Sequence, residues 1–146
     1  MRVLNLKKLS SNYWVPLSIL ALTLALSFIL YAPAIKSYFV SEDLRHVTFR
    51  WSEVHDEFFS LGQSIGYRPG TTLYLVLKNF IWGRNQILQH ATDFLLHGIV
   101  GWFVFLIVRR VTNQISTGLL AAILFVAAPL NTEGVIWMAA AAIPNP

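Results

Sequence analysis

The chain has no cysteine, and charged side chains make up only 12% of its 146 residues. Without cysteine it has neither disulfides nor thiolate metal ligands, and its redox compartment is left open. There is no G-x-G-x-x-G, no Walker loop and no G-x-S-x-G, so nothing supports nucleotide binding or serine hydrolysis. Internal repeats and low-complexity tracts are also missing. His46, His55, Asp56 and Glu57 are the nearest thing to a metal cluster, but their spacing fits no compact zinc pattern. No metal or cofactor is implied. The net charge of +4 is spread over helix ends rather than gathered on one face, which argues against a nucleic-acid partner.

Apolar residues fill the space the charges leave, at 55% of the chain and a mean hydropathy of +0.57. Residues 9 to 35 carry no charge and follow Lys7 and Lys8. That run exceeds the roughly 20 apolar residues that cross a bilayer as a helix. Hydrocarbon offers no water to backbone groups, so the run must be helical. Ala32-Pro33-Ala34 resembles a signal-peptidase site. The apolar run, however, is longer than the usual 7 to 15 residues of a signal peptide, so it reads as a retained anchor.

Two more spans follow by the same reasoning. One covers about Gln86 to Val108, interrupted only by Asp93, and the other fills the uncharged interval between Arg110 and Glu133. Gly134 to Ile143 is too short to cross and reads as the start of a fourth span, cut off. The expected fold is all-α: three transmembrane helices at about 12–34, 86–108 and 115–132, plus the partial fourth. All belong to one membrane domain over residues 1–146, a piece of a longer protein. From Thr71 to Trp82 the sequence is apolar and aromatic with Lys78 as its one charge. It is too short to span and fits an amphipathic helix at the membrane surface.

Short loops rich in Lys and Arg stay in the cytoplasm. Arg2, Lys7 and Lys8 precede the first span, and Arg109-Arg110 sit between the second and third, each group without an acid. Both groups are expected inside, with residues 36 to 85 and Glu133 outside. The charge bias implies an integral membrane protein with a cytoplasmic N-terminus; the membrane expected is a bacterial inner membrane.

Gln86, His90, Asp93 and His97 fall within about 60° of one another around a helix. Polar groups are costly in hydrocarbon, so this stripe should face a protein interior or a water-filled cavity. Lining a site and hydrogen-bonding a neighbouring helix are both open readings. Glu42-Asp43 lies just beyond the first span; one of the pair can point into a site and take a proton from an acceptor hydroxyl.

From Tyr67 onward the chain resembles a known family. Tyr67-Arg68-Pro69 with Thr71-Thr72-Leu73 is similar to the Y-R-P-x-T-x-L opening of polytopic glycosyltransferases of the GT-C type, related to protein O-mannosyltransferases. Ile81-Trp82-Gly83-Arg84-Asn85 stands where these have W-G-x-N, and His90 with Asp93-Phe94-Leu95-Leu96-His97 resembles H-x-x-N-x-L-L-H, with Asp93 in place of Asn. Arg109-Arg110-Val111-Thr112 resembles R-R-L-T. Leu124-Phe125 and then Pro129 to Trp137 look like L-F-x-x-H-P-x-H-T-E-A-V-A-W. Ala128 and Asn131 stand for the two histidines of that pattern, and Ala139-Ala140-Ala141 for S-G-R.

The resemblance covers roughly 70 residues and implies an enzyme moving a sugar from a polyprenyl-phosphate donor to an acceptor on the outer face. The family keeps its acidic motif soon after the first helix, where only Glu42-Asp43 matches, so Asp43 is the expected base. Arg68 is expected on the donor phosphate, with His90, Asp93, His97 and Glu133 as further substrate-side groups. The family is several times longer than this chain, which would be inactive as an isolated fragment. Two other readings stand beside it: a small non-catalytic membrane protein packing on a partner through its polar stripe, and a transporter fragment using Asp93 and the histidines as a proton relay.

Overall fold

The computed structural model describes residues 14–36, 55 and 69–128. Among them every regular element is helical: α1 (Trp14–Tyr31) running into a 3₁₀ helix (Ala32–Lys36), α2 (Pro69–Trp82), α3 (Gln86–Thr112) and α4 (Ile115–Ala127). Two stretches are long and apolar enough to cross a membrane, Trp14–Lys36 and Gln86–Thr112. The expected third span is described only as far as Ala128, with α4 making up 13 residues of it. The expected surface segment 71–82 falls inside α2.

Local chemistry accounts for most boundaries. Pro69 is the first residue of α2, where its missing N–H and fixed φ do no harm. Gly83 ends that helix at φ +57 and returns its N–H to Asn79 O at 2.8 Å, a left-handed C-terminal turn that glycine adopts without Cβ strain. Asn85 then caps α3, its Oδ1 accepting the Leu88 N–H at 3.2 Å. At the far end Arg109 and Arg110 occupy the last turn, where cations suit the helix dipole. Asn113 takes the left-handed position at φ 56. Ala128, extended at φ −64 and ψ 123, precedes Pro129, whose ring disfavours helical backbone in the residue before it.

The described residues fall into two compact units, 14–31 with 94–128, and 32–36 and 55 with 69–93. In the first, α1 packs on α4 and on α3 from Phe94 onward around Phe94, Phe105, Ala122 and Val126. Gly98 marks a close helix approach: a Cβ there would lie 2.9 Å from Leu24 Cα, so only glycine admits the α1 backbone. Ser27 Oγ donates to Phe94 O at 2.7 Å and Trp102 Nε1 to Pro16 O at 2.8 Å. In the second, α2 and the opening of α3 form a helical hairpin across Gly83-Arg84-Asn85.

Candidate functional site: a buried polar cluster in the hairpin

Four residues separate Tyr74 from Lys78 on α2 and Gln89 from Asp93 on α3. That spacing stacks each pair on one helix face, and the hairpin turns the two faces together. Lys78 is 2% exposed and the Asp93 side chain 13%. Lys78 Nζ lies 2.8 Å from both carboxylate oxygens of Asp93, and the Tyr74 hydroxyl donates to Oδ1 at 2.5 Å. The ammonium also sits 5.1 Å from the centre of the Tyr74 ring, within cation–π range. Asp93 is therefore held by one cation and one hydroxyl.

The hydroxyl of Tyr74 titrates far above its ordinary range. Burial is the main cause; the Asp93 charge and the hydrogen bond to it act in the same direction. Tyr74 is thus a fixed donor to Asp93 and a poor source of protons at neutral pH.

One turn earlier on α3, Gln89 is fully buried. Its Nε2 donates to Asn79 Oδ1 at 2.8 Å and to Gly83 O at 2.6 Å. A backbone carbonyl only accepts, which fixes the amide orientation and leaves Oε1 pointing elsewhere. That oxygen is buried and has no hydrogen-bond partner among the described residues.

Of the expected stripe, Gln86 is half-buried and His90 is buried at 3% exposure. His97 is buried too, and its contacts are in the first unit. Its Nε2 lies 3.3 Å from Val126 O, which also accepts the Tyr31 hydroxyl at 3.3 Å. Val126 is in the last turn of α4, where carbonyls have no partner within the helix. To donate there, His97 must carry its proton on Nε2. The ring stacks on Phe125 and meets Tyr31 edge-on. These contacts place His97 at the end of α4.

The expected base Asp43, its neighbour Glu42, the expected phosphate contact Arg68 and Glu133 lie outside the described residues. Sequence reasoning placed Asp93 on a buried face and missed what holds it. Lys78, Tyr74, Asn79 and Gln89 were not singled out, although a lone lysine in one apolar helix and a lone aspartate in the next are a usable signal: each needs an opposite charge to be buried. Among the described residues no group of three or more His, Cys, Asp or Glu is placed to hold a metal. Compared with known proteins, the chain matches no family model, no curated protein and no solved structure.

Proposed function

We propose that this chain is the N-terminal part of a polytopic GT-C type membrane glycosyltransferase. It would transfer a sugar from a polyprenyl-phosphate donor to an acceptor on the extracytoplasmic face. Three spans and the start of a fourth, with α2 lying at the surface, make up its membrane layout, and the N-terminus is cytoplasmic in a bacterial inner membrane. The ordered series of motifs from Tyr67 to Trp137 carries the transferase reading.

Burial supports the membrane half of the proposal. Thr23, Ser27, Lys78, Gln89, His90 and His97 are buried, while Leu17, Ile29, Phe103, Ile107, Leu120 and Leu124 are at least half exposed. Large apolar side chains left exposed while polar ones are buried beside the apolar core is an arrangement hydrocarbon tolerates and water opposes. The departure at Asp93, an acid where the resembled pattern has an amide, comes with a buried cation, Lys78, bonded to it.

In this mechanism Asp43 takes the proton of the acceptor hydroxyl as its oxygen attacks the anomeric carbon. The polyprenyl phosphate leaves with the bonding pair and the configuration inverts. Arg68 binds the leaving phosphate through its guanidinium. The same geometry weakens the two alternatives. Asp93 is already engaged by Lys78 and Tyr74, and His97 by Val126. Both are bonded within the chain rather than to a partner helix.

The deciding experiment measures sugar transfer from polyprenyl-phosphate donors in membranes with matched expression from the complete gene. Asp43→Asn should lower kcat by roughly 10²- to 10⁴-fold with little change in KM, and Glu42→Gln should lower it less. Full activity in Asp43→Asn removes the base from this residue, and loss in Glu42→Gln alone moves it one position back.

A further inference from the structure

The turn between α3 and α4 borders an open pocket of about 490 Å³ lined by Leu106, Arg109, Arg110, Asn113 and Ile115. Two consecutive arginines line it, and neither makes an ion pair among the described residues. Arg109 packs over the Phe105 ring at 5.8 Å, and Arg110 is exposed. The sequence has no acid from Phe94 to Thr132, so this stretch contains no carboxylate to neutralise them. The start of α4 adds to the positive field, because no side chain caps it and its first turn holds no acid.

We propose that this pocket binds the phosphate headgroup of an anionic membrane phospholipid. A guanidinium suits phosphate oxygens through paired charge-assisted hydrogen bonds, and two arginines line this pocket. Two observations favour a lipid over a free ion. Leu106 and Ile115 give the same pocket an apolar wall, suited to a glycerol backbone and the first carbons of an acyl chain. The arginines also directly follow the charge-free stretch Phe94–Val108 of a helix long and apolar enough to span. Basic pockets in that position meet the headgroup layer. The inference rests on α3 spanning a membrane and is independent of any transferase activity.

The test uses the full chain purified in detergent, with lipid adducts counted by native mass spectrometry during titration with phosphatidylglycerol or phosphatidylcholine. Phosphatidylglycerol should bind well ahead of phosphatidylcholine. Arg109→Gln/Arg110→Gln should weaken it about 30-fold and Arg110→Gln alone about fivefold, with helicity by circular dichroism unchanged. Arg84→Gln, in the exposed turn between α2 and α3, should bind like the wild type. Unaltered phosphatidylglycerol affinity in the double variant overturns the site. Equal binding of phosphatidylcholine reduces it to acyl-chain adhesion, and displacement by equimolar inorganic phosphate makes it a free-phosphate site; either result overturns the lipid proposal. Labelling of single cysteines at Asn85 and Asn113, at the two ends of α3, with an impermeant thiol reagent on intact cells tests the spanning of α3 separately: labelling of both or of neither sinks that premise whatever the adducts show.

Discussion

Lys78 and Asp93 are each unfavourable where they sit and acceptable only together. Removing one partner of a buried pair leaves an uncompensated charge and costs about 3–5 kcal/mol, whereas replacing both with apolar groups is often neutral or better. Lys78→Met should therefore destabilise the hairpin strongly, and Lys78→Met/Asp93→Leu should recover most of the loss. Thermal unfolding of the three proteins in one detergent measures this; a double variant as unstable as the single would show that the pair does not act as a unit. Tyr74 allows a pH test. Its folded pKa is raised, so its contribution is fully present below the unfolded value of about 10 and is lost as pH climbs above it. Between pH 9 and 12 the wild type should lose stability more steeply than Tyr74→Phe. Parallel curves for the two proteins would show that the hydroxyl does not keep its proton.

Elements in this chain meet through small residues and helix ends. Gly98 lets the α1 backbone approach so closely that any Cβ must displace it. Gly98→Val should cost about 1–3 kcal/mol as an overpacked contact. Gly70, in the first turn of α2, has nothing within 4 Å of where its Cβ would stand. Gly70→Ala should be neutral or slightly stabilising, through helix propensity alone. Resistance of each variant to denaturing detergent, read by helicity, separates them; equal loss at both positions would mean that glycine matters here for propensity rather than closeness. The close of α4 depends on Val126 O and its two donors. It shows how a helix end inside an apolar body is satisfied by side chains from other helices rather than by water.

For the whole molecule, the charge bias makes a prediction about sidedness. The N-terminus and Arg109-Arg110 are expected in the cytoplasm, with residues 36 to 85 and Glu133 outside. Single cysteines at Ser41 and Asn113 can be introduced without background, because the chain has none of its own. An impermeant thiol reagent on intact cells should label Ser41→Cys and spare Asn113→Cys; the reverse pattern would invert the topology and put the lipid pocket in the outer leaflet.

The helices and most of their ends were legible in the sequence because their causes are local. Long uncharged runs allow only helices in hydrocarbon; the surface helix expected from Thr71 opens two residues earlier, at Pro69, because proline suits a first helical position. The expected span 86–108 proved longer, with α3 running to Thr112. There the arginines extend the helix past its apolar part, since a helix terminus welcomes cations that the hydrocarbon does not. The four-three-four spacing of the polar stripe placed His90, Asp93 and His97 on a buried face. Periodicity reports which side of a helix is turned inward and says nothing of what it meets there. That Asp93 meets Lys78 and Tyr74, that His97 closes α4, and that Gln89 bonds the carbonyl of Gly83 were decided only by tertiary structure. Each depends on a second helix arriving at a particular depth and rotation, which no local rule specifies.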